Sequence, residues 1–236
     1  MSSFALNTPD GAMEVFNVLP DGISKGVVVV LQEAFGITDH IKDVCGRFAD
    51  DGYRAVAPDL FHRSGGPVLG YDELPEAKKH MAELTQSGLL DDLQSTIDYL
   101  VDEGFALPRI AVVGFCMGGS VAFLAATAWP LGAAVTFYGG GVIEGRFGMP
   151  PLIEMVSSLR SPWLGLYGDV DATIPVLEVE QLQRSLEESP VTAELVRYPD
   201  ANHGFNCDAR DSYHAPSAVD AWGRALAWLD ANVAPR

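Results

Sequence analysis

The 236-residue sequence predicts an α/β fold in which a mostly parallel β-sheet is covered by helices on both faces. Three observations predict it: short runs rich in Val, Leu and Ala recur along the chain, segments of helix length separate them, and an antiparallel hairpin pattern opens the sequence.

The hairpin comes first, as Ser3 to Thr8 and Ala12 to Val18 flank Pro9-Asp10-Gly11, whose residues suit a tight turn at a sheet edge. Six buried strands follow over 26–32, 53–58, 109–115, 133–138, 161–167 and 193–198, all but the fourth closed by Gly, Pro or polar turn residues. Helices are predicted over 39–50, 89–103, 117–128, 176–188 and 216–232. In the last, Val219, Trp222, Leu226 and Leu229 repeat at three and four and predict an apolar face. Segments 62–88 and 139–160 carry several Gly or Pro and break the alternation. Long insertions after strands in such an architecture shape a pocket. The length, with no linker, repeat or low-complexity tract, leads to the expectation of one domain over 1–236.

Composition narrows the function. Hydrophobic residues make up 48% and charged residues 20%, enough apolar surface for a sizeable core. A formal net charge of -17 repels phosphate backbones and anionic lipid surfaces, so neither nucleic acid nor membrane is expected as a partner. The longest apolar runs fall far short of the roughly 20 residues that span a bilayer. The first residues, MSSFALNTPDG, have neither the basic start nor the apolar run of a secretory signal, and a cytoplasmic location is expected. Cys45, Cys116 and Cys207 are odd in number and widely spaced, which suits neither a disulfide framework nor a zinc site.

The strongest local signal is Ile110 to Ser120, where a strand meets Gly114-Phe115-Cys116-Met117-Gly118-Gly119 and then a helix. This is the pattern of a nucleophile elbow with Cys in the nucleophile position. Such a turn brings strand and helix so close that side chains must be absent around it, and Gly114, Gly118 and Gly119 meet that need. A thiol at the start of a helix faces free N–H groups and the positive end of the dipole, which favours the thiolate, and the N–H of Met117 faces a developing oxyanion. A lone cysteine is more often a small buried hydrophobe. The strand, glycine and helix context favours a reactive Cys116. Together these features specify the α/β-hydrolase fold, with the hairpin as an N-terminal antiparallel addition.

In that fold the acid and then the histidine follow the nucleophile. Only His203 and His214 lie after Cys116. His203 directly follows the last predicted strand, whereas His214 sits in a polar stretch before the terminal helix and is expected at the surface. His40, His62 and His80 read as loop or helix-surface residues, with His62 placed to reach a pocket. The acid comes from the loop Gly168 to Pro175, which offers Asp169 and Asp171. Asp171 is preferred because Gly-x-x-Asp-x-x-Ile-Pro is the familiar acid-loop arrangement, the competing role for either Asp being a cap or turn.

With these motifs in place, the chain resembles the dienelactone hydrolase (carboxymethylenebutenolidase) family from its first strands to its last helix. The resemblance rests on Gln32-Glu33-Ala34-Phe35-Gly36, Ala57-Pro58-Asp59-Leu60-Phe61, the elbow, and Asp171 to Pro175 with His203-Gly204-Phe205. It implies that Glu33 pairs with the thiol and helps to deprotonate it, that the N–H of Ala34 is the second oxyanion donor, and that Phe35 and Tyr138 line the substrate cavity. One departure stands out. Family members acting on dienelactone carry an Arg four residues after the catalytic His to hold the substrate carboxylate, and this chain has Cys207 there. Arg63, Arg146 and Arg210 are the candidates to replace it, and without a replacement neutral lactones and esters should be hydrolysed at least as efficiently as a dienelactone carboxylate.

The expected activity is hydrolysis of a small lactone or carboxylic ester through a cysteine thioester, with a small-molecule substrate and with no metal or organic cofactor. No dinucleotide fingerprint or P-loop is present. A glutamine amidotransferase would show His-x-Glu where this chain has His203-Gly204-Phe205. A non-catalytic thiol redox sensor or small-molecule binder on the same fold is the remaining alternative, and it would be oxidised without ever being acylated.

Overall fold

A computed structural model describes residues 1–234. The elements run β1 (Ser2–Thr8), β2 (Gly11–Val18), β3 (Val27–Leu31), α1 (Asp39–Asp50), β4 (Arg54–Pro58), α2 (Leu74–Ala82), α3 (Gln86–Asp102) and β5 (Ile110–Phe115). Then come α4 (Met117–Ala128), β6 (Ala133–Phe137), α5 (Leu152–Met155), β7 (Trp163–Gly168), α6 (Val176–Ser185), β8 (Ala193–Tyr198) and α7 (Ala215–Asn232).

All eight strands join one sheet in the order β1-β2-β4-β3-β5-β6-β7-β8. β1 and β2 are antiparallel, β2 meets β4 antiparallel, and the remaining pairs are parallel. The central strands are buried at every position, which is why β3 and β5 read as unbroken apolar runs rather than alternating ones. α1 and α7 pack together on one face, with Phe48 and Trp222 ring centroids 4.6 Å apart, while α3 and α4 adjoin on the other.

The order of connection places the site. After β3 the chain crosses to β4 on one side, and after β4 it returns past β3 to β5 on the other. The carboxyl ends of β3 and β5 therefore flank the point where the winding reverses, where open α/β sheets leave a crevice. Glu33 follows β3 and Cys116 follows β5.

Four expectations need correction. The strand expected to be buried over 193–198, β8, lies at the sheet edge and is mostly only partly buried. Segment 62–88 contains α2, whose Leu74, Ala77 and Met81 recur at three and four. The surrounding Gly and Pro conceal this short pattern, and no side chain caps its start. Helix α3 begins at Gln86 instead of 89, because the Thr85 hydroxyl accepts from the N–H of Gly88 at 3.1 Å. Helix α7 buries Leu229 and packs Trp222 and Leu226 partly buried against the core as expected, but Val219 is exposed, and Ala218, Ala221, Ala225 and Trp228 complete its inner face.

Among the described residues no helix is long and apolar enough to cross a membrane.

Candidate active site

Cys116 occupies the turn between β5 and α4 with φ 54° and ψ -111°, a left-handed backbone unusual for a residue with a side chain. Its neighbours make the turn feasible. A Cβ at Gly114 would collide with the Gly118 carbonyl, and one at Gly118 with the backbone of Leu31 and Gln32. The elbow is pinned by the Cys116 N–H donating to the Phe137 carbonyl at 3.0 Å and the Gly118 N–H donating to the Gln32 carbonyl at 3.0 Å. Strain at one residue is thereby held by two strands and a helix.

His203 and Asp171 reach the elbow from the loops after β8 and β7. His203 Nδ1 lies 2.6 Å from Asp171 Oδ2. The other carboxylate oxygen, Oδ1, accepts from the Thr173 N–H at 2.8 Å and from the Thr173 hydroxyl at 2.6 Å. Thr173 Oγ1 also stands 3.1 Å from His203 Nδ1, so this hydroxyl braces both partners. Sequence reasoning passed over Thr173. The signal was present in its position two residues after an Asp in a turn, where a side-chain-to-backbone bond is common.

Electrostatics follow from the arrangement. Burial is the largest influence on the Cys116 thiol and opposes its ionisation, as the charge of Glu33 does, but the charge and hydrogen bond of His203 together with Arg146 hold the thiol below its ordinary value. Burial likewise opposes the charged form of His203, yet the Cys116 thiolate and the Asp171 hydrogen bond push its pKa up to about 10. Asp171 loses solvation too, and its hydrogen bonds from His203 and Thr173 still hold it below the usual carboxylate range. The three groups thus favour a thiolate–imidazolium pair beside a carboxylate. Burial raises the other two thiols, Cys207 to about 11 and Cys45 further still.

Glu33 is fully buried; Oε1 is 3.3 Å from Arg210 Nη1, and Oε2 has no partner among the described residues. The N–H groups of Met117 and Ala34 make no hydrogen bond among the described residues. Phe35 lines the cavity. Tyr138 is fully buried, its hydroxyl has no partner among the described residues, and its ring packs edge-on against that of His203, 5.1 Å away, instead of lining the cavity wall as expected.

The cavity above Cys116 and His203 measures about 470 Å³, within the range of small-molecule sites. Both insertions build it: Leu74, Lys78 and Met81 from α2, and Gly140 to Val142 with Glu144 to Arg146 from the segment after β6. Arg146 and Arg210 are on its wall, and Arg63 is not. Instead, Arg63 donates to both oxygens of Asp92, at 2.7 and 3.0 Å, and to Asp10 at 2.7 Å. His62 Nε2 is 3.0 Å from Asp92, which takes it away from the cavity.

The competing candidates have other partners. Asp169 accepts two bonds from Arg197, at 2.7 and 3.0 Å, and His214 bonds Ser217 at 2.8 Å near the start of α7. His40 departs from its expected surface position. It is buried on the inward face of α1, edge-on to Phe115, with Asp208 Oδ1 3.6 Å from Nδ1. No group of three or more His, Cys, Asp and Glu suited to hold a metal occurs among the described residues.

An eight-stranded, mostly parallel sheet with a nucleophile elbow after β5 defines the class as an α/β-hydrolase. The dienelactone hydrolase family pattern matches residues 13–233. An Escherichia coli K12 protein provisionally assigned as a carboxymethylenebutenolidase is 39% identical over 206 residues, 86% of this chain and 76% of that one. A Synechocystis protein with the same provisional assignment is 35% identical over 222 residues, 91% of this chain and 90% of that one. A crystal structure from Klebsiella pneumoniae, provisionally assigned as a dienelactone hydrolase, superposes with a TM-score of 0.89 at 36% identity, covering 97% of each chain. The chain belongs to the dienelactone hydrolase family.

Proposed function

We propose that the protein hydrolyses small lactones or carboxylic esters with Cys116 as nucleophile and His203 and Asp171 completing the triad. The observation that carries this reading is the strained Cys116 elbow, facing a His203 that is hydrogen-bonded to a doubly held Asp171. The thiolate attacks the carbonyl carbon, and the N–H groups of Met117 and Ala34 receive the charge that builds on oxygen. The intermediate collapses as the C–O bond breaks, and the leaving alkoxide takes its proton from the His203 imidazolium. Neutral His203 then takes a proton from water, hydroxide adds to the thioester, and the acid leaves with the thiolate restored.

Glu33 is the candidate to help deprotonate the thiol when substrate arrives, and its contact with Arg210 supports a role in which pairing restrains the carboxylate until then. Phe35 contributes an apolar wall, and Tyr138 holds the histidine ring.

Purified protein incubated with a panel of lactones and short esters should turn over at least one class. Cys116→Ala should lose the activity, and quenched intact-mass measurements should catch an acyl adduct on the wild type. Oxidation of the thiol without acylation by any member would favour a redox sensor, and full turnover by Cys116→Ala would remove the cysteine from the chemistry.

A further inference from the structure

Arg146 stands apart from Arg210, the other arginine on the cavity wall. Arg54, Arg63, Arg197, Arg210 and Arg224 each lie within ion-pair distance of a carboxylate. Arg146, partly buried on the cavity wall, has no carboxylate within that distance among the described residues, and its nearest side-chain acceptor is the Ser120 hydroxyl at 3.5 Å. Burial draws its guanidinium below the ordinary value, and the Cys116 thiolate is the charge that opposes this. A desolvated cation with one long hydrogen bond is costly unless something anionic completes it.

The surroundings form a fitted cradle. Gly140 and Gly141 leave the space that Arg146 fills: a Cβ on Gly140 would stand 2.9 Å from Nη1, and one on Gly141 2.9 Å from Cγ. The arginine sits in a tight turn with positive φ at Gly145 (68°), Phe147 (56°) and Gly148 (74°), closed by the Met149 N–H donating to the Arg146 carbonyl at 2.8 Å. A left-handed Phe is strained, and here it puts its ring under the guanidinium, 4.4 Å from centroid to Cζ. Two acids share the cavity wall, Glu144 and Glu178, and neither reaches ion-pair distance of Arg146.

We propose that Arg146 is a specificity-determining residue that binds a carboxylate on the acyl portion of the substrate, beside Cys116 and on the wall formed after β6. This rests on the hydrolase reading for its substrate. It also reverses the preference expected from Cys207 alone, because the cation comes from the β6–α5 connection rather than from the loop bearing His203. The net charge of -17 acts weakly against it, since salt screens charges beyond roughly 8–10 Å while Arg146 acts at contact.

The test compares two matched ester substrates and, separately, two alkylating agents. Monomethyl succinate and methyl butanoate release the same alcohol and differ in the terminal carboxylate. The ratio of their kcat/KM values should fall at least about tenfold in Arg146→Gln and be largely retained in Arg146→Lys. Iodoacetate and iodoacetamide each form an S–C bond at the Cys116 thiolate as iodide leaves, with no turnover required, and peptide mass spectrometry reports their relative rates. Arg146→Gln should slow iodoacetate selectively, by at least about threefold relative to iodoacetamide. A selective loss toward iodoacetate in a protein that hydrolyses neither ester would support the anion subsite and overturn the hydrolase reading. Equal slowing of both reagents, or unchanged ratios in both comparisons, would overturn the role of Arg146 in binding an anion.

Discussion

Two buried ionic clusters in this molecule are built in opposite ways. Around Asp92 every charge is answered: Arg63 grips both oxygens, His62 adds a third contact, and Arg63 reaches on to Asp10 and the Gly88 carbonyl. Around Cys116 the partners are incomplete. Glu33 has one oxygen without a partner, Tyr138 has a buried unpartnered hydroxyl, and Arg146 has no carboxylate, all among the described residues. A closed set of partners minimises the cost of buried charge and ties the segment after β4 to α3. An open set leaves charges free to act on a substrate, at a cost in stability that the surrounding sheet must offset.

The contrast can be broken most severely at the open cluster. His203→Ala and Asp171→Ala should each lower kcat/KM for a hydrolysed ester by roughly 10²–10⁴-fold, with the double variant little worse than the first, since the groups act as a unit. Asp169→Ala, which only releases Arg197, should leave kcat/KM within a few-fold of wild type. A larger loss from Asp169→Ala than from Asp171→Ala would reverse the assignment of the acid.

The closed cluster should fail in stability instead. Asp92→Ala strands Arg63 and His62, and urea unfolding should report a loss of about 3–5 kcal/mol, the usual consequence of removing one partner of a buried pair. Activity per folded molecule should stay near wild type, because Asp92 does not line the cavity. A stable but inactive Asp92→Ala would show that the two clusters are coupled.

A subtler difference concerns the proton. Because His203 holds the Cys116 thiol below its ordinary value, the thiolate is present at lower pH than in a free cysteine, and iodoacetamide should alkylate Cys116 selectively at neutral pH. The sign follows from the pair. As pH falls through the depressed thiol value the thiolate is protonated and the rate drops, while above about 10 the imidazolium loses its proton and the thiolate loses its partner. In His203→Ala burial acts with little opposition, so the midpoint of the rate–pH profile should move upward by a unit or more. An unmoved midpoint would mean that the helix terminus and Arg146 suffice to ionise the thiol.

Sequence by itself determined the elements whose cause is local. A fully buried parallel strand is near-continuously apolar, which made β3, β5 and, apart from Thr136, β6 visible. An elbow must lack side chains where strand and helix collide, which marked Gly114 to Gly119 and hence Cys116. Order along the chain left His203 and His214 as candidates, position after the last strand favoured His203, and the Gly-x-x-Asp-x-x-Ile-Pro pattern favoured Asp171 over Asp169, choices that the variants above test. Tertiary structure alone decided which charges meet. Arg63, Arg146 and Arg210 were equivalent candidates in the sequence, and only the fold sent the first to Asp92, the second to the cavity wall without a carboxylate partner, and the third to Glu33. The exposure of Val219 on α7 and the burial of His40 were hidden for the same reason. Ion pairing and burial depend on residues brought together from distant parts of the chain, such as Glu33 and Arg210, and no local periodicity records those distances.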